Sequence, residues 1–308
     1  MKKVIITGGT GFIGKWIVKE LLNNGVEVIV ISRENSKNIN ELNNLPVKIV
    51  ECDLENIDKL PELIKDRDID TFYHIAWQGV SDSDLKSSEV QINNVIATLK
   101  ILDVMKKMNI ETFVGAGSLH EIEGQIEMNK NTTITNMGCM YKSAKNCAHL
   151  MAKAKAGDLG IRFLWPIITN TYGEGEKSGR LINTIIRRVL NNESMDLSAG
   201  DQNYDFIHIS DLARAFYLIG DKGKDGHNYI VSSGKVKPLK EYLKVVEKLA
   251  NEISGNSIEL NFGGLKSSPI YLDECNFDIS NLIEDTGFKP NISFEEGIKK
   301  TIKWIIQN

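Results

Sequence analysis

Glycines stand at 8, 11 and 14 in the run Thr7-Gly8-Gly9-Thr10-Gly11-Phe12-Ile13-Gly14, which joins an apolar β-type stretch to an amphipathic helix. Before it, 3–7 reads Lys-Val-Ile-Ile-Thr. After it, 12–23 puts Ile13, Ile17, Val18, Leu21 and Leu22 on one helical face and stops at Asn24-Gly25. A strand apolar on both faces needs cover on both faces, so a helix must return across it and the next strand must run parallel. The alternation continues, with strand-type runs at 26–31, 47–51, 69–75, 112–116 and 161–165 and helical patterns at 87–108 and 140–156. The expected fold is α/β, with a doubly wound parallel sheet.

After Pro166 the rhythm weakens. A polar, glycine-rich loop at 173–179 precedes helical patterns at 181–190, 211–219, 239–250 and 294–306, with one strand-type run at 205–209. The expected division is a dinucleotide-type domain over 1–168, to which 203–233 returns, and a smaller α+β region from 169–202 and 234–308.

Composition narrows the partners. The 308 residues hold 37 Lys plus Arg against 41 Asp plus Glu, a formal charge of -4, which gives no basic surface for nucleic acid. No apolar run approaches the ~18 residues that span a bilayer, and too few apolar residues precede Gly8 for a secretion signal. Cys52, Cys139, Cys147 and Cys275 form no C-x-x-C pair and no Cys/His cluster of zinc spacing, so no metal is expected. Cys139 and Cys147 are expected to be reduced and packed, as in a cytoplasmic compartment.

The glycine run has a chemical reading. Without side chains at Gly8, Gly11 and Gly14 the backbone can approach a pyrophosphate, while the amides of Thr10, Phe12 and Ile13 and the helix N-terminus offer positive charge. The residues about 20–25 after such a turn choose the cofactor: a carboxylate takes the ribose 2′-hydroxyl of NAD, an arginine the 2′-phosphate of NADP. Here the second strand ends Ser32-Arg33, with Ser36 and Lys37 beyond it. NADP(H) is therefore preferred and NAD(H) remains possible. Asp53 and Leu54, after the third strand, are placed to meet the adenine, although Asp53 equally suits a helix cap.

Tyr141 and Lys145 lie four apart on a helix, hence on one face. A neighbouring ammonium favours phenolate, drawing a tyrosine down from its ordinary ~10 toward working pH, so Tyr141 can exchange a proton with an alcohol oxygen. The fifth strand ends Gly115-Ala116-Gly117-Ser118, and a hydroxyl at the carboxyl end of a parallel strand points into the ligand crevice. His120, two residues on, suits either acid/base work or a local loop contact.

Together these features resemble the NAD-dependent epimerase/dehydratase family of extended short-chain dehydrogenases/reductases, of Rossmann-type fold. The matching residues are the run 7–14, Asp53-Leu54, His74-Ile75-Ala76, Asn94-Val95, Ser118, Tyr141 with Lys145, Asn170-Thr171-Tyr172-Gly173, and Gly200-Asp201-Gln202 leading into Asp205-Phe206-Ile207-His208. The resemblance implies a Ser118–Tyr141–Lys145 triad beside the nicotinamide, with Ile75, Ala76, Trp77 and Pro166 along the cofactor crevice. It implies a nucleotide-sugar substrate on the C-terminal region, where Asn170, Arg180, Gln202 and Tyr204 are the candidates, and a homodimer built on the helices 87–108 and 140–157. Met140, Ala144, Ala148, Met151 and Ala152 are the expected contact face. Tyr204 and Ile167 stand where the family often has arginines and Glu174 where it has proline, so Arg180 is the best-placed cation for a pyrophosphate.

Three reactions share this machinery: reduction, epimerisation and dehydration. The cofactor preference favours NADPH-dependent reduction of a nucleotide-activated 4-keto-6-deoxy sugar or heptose, with His120 as a further acid/base. The alternative is a 4-epimerase or dehydratase, and a non-catalytic NADP sensor is disfavoured by the Tyr–Lys pair.

Overall fold

The computed structural model describes residues 1–34, 36, 38–80, 84–131, 138–266 and 270–308. Its strands are β1 Lys3–Thr7, β2 Glu27–Ser32, β3 Lys48–Glu51, β4 Thr71–His74, β5 Thr112–Gly115, β6 Gly117–Ser118, β7 Arg162–Ile168, β8 Asn170–Tyr172, β9 Asp196–Leu197, β10 Asn203–Tyr204, β11 Phe206–His208, β12 Asn228–Val231, β13 Lys237–Pro238 and β14 Asn261–Phe262. The helices are α1 Phe12–Asn23, the short α2 Leu60–Leu63, α3 Ser88–Met108, α4 His120–Met128, α5 Cys139–Leu159, α6 Leu181–Leu190, α7 Ile209–Lys222, α8 Leu239–Ser254, α9 Ser280–Thr286 and α10 Phe294–Gln307.

The chain forms two compact units. The first comprises 1–168, 213–229 and 281–288 and holds the main-sheet strands in the order β7-β5-β4-β1-β2-β3. β1 runs parallel to both β2 and β4, with Ile5 opposite Ile29 and Phe72. The order reverses direction on either side of β1, as a doubly wound sheet requires. Val4, Ile5, Ile6, Phe72, Phe113, Val114 and Leu164 are wholly buried, each burial stabilising the fold by ~1.5–3 kcal/mol. α3 ends on Asn109 and α5 on Gly160, both left-handed, and this turns the chain back into β5 and β7.

The second unit comprises 169–212, 230–280 and 289–308. Its core gathers Tyr172, Ile182, Ile185, Phe206, Leu243, Val246, Ile298 and Ile302 from β8, α6, β11, α8 and α10. β8 and β11 pair in parallel, and the wholly buried Asp205 accepts the backbone N–H groups of Ser233 and Lys235.

Three expectations differ from what is observed. The segment grouped with the first unit is 213–229, shorter than 203–233, and 281–288 joins it because Asp285 accepts from His227, Tyr229 and Lys224. Cys147 is exposed rather than packed, because it lies on the outer side of α5; Cys139 is half-buried, its thiol donating to Glu127 at 2.8 Å. The expected contact face of α5 divides: Ala144, Ala148 and Ala152 are buried within the chain, whereas Met140 and Met151 are exposed. Helical rotation of 100° per residue sets the alanines only about 70° round the helix from the methionines, enough to turn them inward.

Candidate active site

The turn between β1 and α1 brings three backbone segments into contact. Gly8 has φ +77°, and a Cβ there would lie 2.6 Å from the Ala76 nitrogen; a Cβ on Gly14 would collide with the Gly8 carbonyl oxygen. The Gly11 N–H donates to that oxygen at 3.0 Å, and Gly11 opens α1 with no side-chain cap and no acidic residue in the first turn. A side-chain-free cradle under an uncapped helix N-terminus fits a dinucleotide pyrophosphate. Thr10 lies on the turn, where the Ser36 hydroxyl meets its oxygen at 3.5 Å. Ser32 is buried at the end of β2 with its hydroxyl donating to the Arg33 carbonyl, and the Arg33 side chain is exposed. Lys37 lies outside the described residues. Asp53 is exposed at the start of the short 3-10 turn at 54–59 and makes no side-chain cap, which leaves its carboxylate unused there.

Beyond β4 the chain passes Ile75, Ala76 and Trp77. The Ala76 N–H points at the Thr7 hydroxyl at 3.4 Å. His74 is held between Thr7 (2.8 Å) and Thr98 (3.1 Å). Burial, with Lys145 nearby, holds it down at about 3, so it is a neutral, satisfied core histidine at ordinary pH. Asn94 exchanges two hydrogen bonds with the backbone of Gln78, at 2.8 and 2.9 Å, and so fixes the loop after Trp77.

α5 presents Tyr141 and Lys145 on one face. Lys145 is buried; its Nζ donates to the Ala116 carbonyl at 2.9 Å, sits 3.6 Å from the centroid of the Trp77 ring and lies 6.0 Å from that of Tyr141. Burial pulls its pKa down to about 7, with Glu121 opposing that fall. The Tyr141 ring meets Trp77 edge-on at 6.0 Å and His120 edge-on at 5.7 Å. Trp77 is in turn anchored through its Nε1–H on buried Gln91 at 2.9 Å, and Gln91 donates to the Gly79 and Asp84 carbonyls.

Ser118 lies on β6, paired with β7 at Ile168. Its Oγ accepts the His120 N–H at 3.3 Å, which leaves the hydroxyl proton available to donate. His120 is not a loop residue: it opens α4, and its Nδ1 meets Glu123 Oε2 at 2.8 Å. Burial pushes Glu123 up, but the bonds from His120 and Lys142 outweigh it and hold the carboxyl at about 2. A pair of this kind fixes one imidazole nitrogen, and the His120 side chain is half-exposed.

The structure therefore gathers Ser118, His120, Tyr141, Lys145 and Trp77, all in the first unit with the glycine cradle. Pro166 is buried on β7 and Leu54 follows Asp53. Asn170, Arg180, Gln202 and Tyr204 all fall in the second unit. There Asn170 donates to the Asp205 carbonyl at 3.3 Å, Tyr204 packs on Phe206, Arg180 is exposed before α6, and the buried Gln202 Oε1 has no hydrogen-bond partner among the described residues. Gln91 and Glu123 were not foreseen as site residues. Glu123 carries a signal, the i,i+3 spacing to His120, once the segment is taken as helical; Gln91 carries none.

A parallel sheet switching direction at a glycine cradle, with a tyrosine and a buried lysine one helical turn apart, defines a short-chain dehydrogenase/reductase. The model of the "NAD dependent epimerase/dehydratase family" matches residues 4–232, and the chain belongs to that family. It is an enzyme of the oxidoreductase/epimerase kind. It is 27% identical, over 99% of each chain, to a putative UDP-glucose 4-epimerase of Methanocaldococcus jannaschii. The crystal structure of Thermotoga maritima UDP-glucose 4-epimerase with UDP-glucose superposes with TM-score 0.81 at 22% identity, covering 99% of both chains. The Bordetella bronchiseptica enzyme WbmF in complex with NAD+ superposes with TM-score 0.80 at 23% identity, covering 100% of this chain and 93% of that one. Among the described residues, no helix is long and apolar enough to cross a membrane.

Proposed function

We propose that the chain reduces a nucleotide-activated 4-keto-6-deoxy sugar or heptose at the expense of NADPH. The observation that carries this reading is the packing of Tyr141 and buried Lys145 against Trp77, one residue beyond the Ala76 backbone that Gly8 touches. The turn 8–14 would hold the pyrophosphate, Ser32 and Arg33 the adenine ribose and its phosphate, Asp53 and Leu54 the adenine, and Ile75, Ala76, Trp77 and Pro166 the nicotinamide end. When bound, the dinucleotide supplies hydride to the sugar carbonyl carbon. Tyr141 gives its phenolic proton to the carbonyl oxygen as it becomes alkoxide. Lys145, poised at about 7, stabilises the phenolate left behind. Ser118 orients the carbonyl through its hydroxyl proton, and His120, backed by Glu123, offers a second acid/base beside Tyr141. Asn170, Arg180, Gln202 and Tyr204 are the proposed substrate contacts.

The names of the relatives favour a second reading, 4-epimerisation, which uses the same proton pair with hydride leaving and returning. Dehydration is less well supported, since the Glu121 carboxylate is taken up by Ser118, Trp165 and His149. The exposed Arg33 supports NADP(H), while the NAD+ complex of WbmF supports a nicotinamide dinucleotide in general. We also infer a homodimer through the apolar residues left exposed on α3 and α5.

The test is incubation of the chain with NADPH and a panel of nucleotide 4-keto sugars, following the absorbance of the reduced nicotinamide. Consumption on a member supports reduction; turnover of a non-keto nucleotide sugar without net cofactor consumption supports the epimerase. Tyr141→Phe should lose about 10²–10⁴-fold in turnover with dinucleotide affinity intact. Full turnover in that variant refutes the assigned role.

A further inference from the structure

Glu121 is 1% exposed, and a carboxylate so deep needs its oxygens satisfied. Three residues do this. The Ser118 N–H donates to Oε1 at 2.8 Å, the Trp165 indole N–H faces both oxygens at 3.2 Å, and His149 Nδ1 meets Oε2 at 2.8 Å. His149 stacks on Trp165 at 4.7 Å and 15°, and its Nε2 reaches Asn228 Oδ1 at 2.9 Å. The strand end is bare where this layer lies. A Cβ on Gly117 would stand 2.5 Å from the Trp165 Nε1 and 3.0 Å from Glu121 Oε1, and a Cβ on Gly115 would run into the same indole. Asn146 of α5 donates to the Glu121 carbonyl at 2.8 Å, so helix and carboxylate are held together.

This layer touches the reacting groups at two points without being one of them. One is the Ser118 amide; the other is the segment 115–118, whose Ala116 carbonyl carries the Lys145 ammonium. The ionisable groups facing Lys145 are Glu121 on α4, Tyr141 on α5 and His74 on β4, and Glu121 in turn faces His149.

We propose that Glu121 is a positioning residue: its buried carboxylate, gripped by His149 and Trp165, fixes the strand end that presents Ser118 and the Ala116 carbonyl, and places its charge near the Lys145 amine which that carbonyl holds. The proposal rests on the reading of Tyr141 and Lys145 as the proton-transfer pair. Glu121→Gln keeps the volume and one acceptor but removes the charge; Glu121→Asp keeps the charge but withdraws the oxygen from the Ser118 amide.

The full chain is labelled with lysine carrying ¹³C at the ε carbon, and the Lys145 signal is assigned by its loss in Lys145→Arg. In Glu121→Gln its titration midpoint should fall by about half a pH unit or more from the native value, because an attractive charge has gone. In Glu121→Asp the midpoint should hold, while kcat for NADPH oxidation with UDP-4-keto-6-deoxyglucose drops about tenfold or more and the NADPH KM stays within about twofold. An unmoved midpoint in Glu121→Gln overturns the electrostatic half, and a native kcat in Glu121→Asp overturns the positioning half. Should Glu121→Gln not fold, the Asp variant alone still decides the positioning half. If the unsubstituted chain does not turn over this substrate, the assigned reaction fails, yet the Lys145 titration still reports on Glu121.

Discussion

Lys145 shows how far single residues could be assigned before the fold was known. Its spacing from Tyr141 is visible in the chain; its burial against Trp77 is not, since nothing in a linear sequence marks the tryptophan whose face it meets. The burial has a thermodynamic consequence. An amine with a pKa of 10.5 when unfolded and about 7 when folded binds more protons in the unfolded state between those values. Stability contributed at this site therefore rises with pH across that window, and the cost of a buried ammonium is greatest below it. Lys145→Met should raise the unfolding free energy by ~2 kcal/mol or more at pH 6, with the gain shrinking toward pH 10. Denaturant titrations at the two pH values check this; an equal change at both would show that the lysine is not buried as a strained base. Cation–π contact with Trp77 offsets part of that cost, so Trp77→Leu should destabilise by about 1 kcal/mol more at pH 6 than at pH 10.

Among elements, those with apolar periodicity were legible, and one whose buried face is acidic was not. β1, α1 and α6 fall where the pattern puts them, because each buries Ile, Val or Leu at regular spacing. The sequence pattern assigns no element to α4. Its buried residues are Glu121 and Glu127, so its inward face is polar and an apolar-period reading finds no helix there. That same helix carries Glu123, so the carboxylate that backs His120 was missed together with it. The β1–α1 junction makes an element-scale prediction. A methyl on Gly14 would strike the Gly8 carbonyl oxygen, and α1 cannot shift away without leaving the sheet. Gly14→Ala should lose about 1–3 kcal/mol in stability and weaken dinucleotide binding at least tenfold; calorimetry of the variant with NADP+ measures both, and native affinity would show that the turn does not carry the ligand. At the end of β2, Arg33→Glu should raise the KM for NADPH by about tenfold or more and leave that for NADH little changed. An equal effect on both cofactors would refute a 2′-phosphate contact.

The whole molecule assembles from non-contiguous pieces, and the cause is again a polar contact that spacing conceals. The segment 281–288 joins the first unit although it follows most of the second in sequence, because Asp285 collects donors from His227 and Tyr229, fifty-odd positions earlier. A second whole-molecule property follows from what the fold leaves uncovered. α3 exposes Ile92 and Ile96, one helical turn apart, at 56% and 46%, and α5 exposes Met140 and Met151, on one side of the helix, at 47% each. The two helices pack side by side, since Lys155 of α5 pairs with Asp103 of α3 at 2.6 Å. Their inner faces, with Ile101, Leu102, Ala148 and Ala152, are already buried, so the outer side chains have no further use within the chain. Four large apolar groups on neighbouring helices form a surface that a twofold axis can pair with itself, each helix meeting its copy. Of the face expected on α5, only Met140 and Met151 remain for a partner, because the alanines serve packing inside the chain. Sedimentation velocity at micromolar concentration should therefore give a dimer. In Ile96→Lys/Met151→Lys the twofold brings like charges together, so this variant should sediment as a monomer with native circular dichroism. A monomeric unsubstituted chain at that concentration, or a dimer that survives both lysines, would rule this face out as the contact.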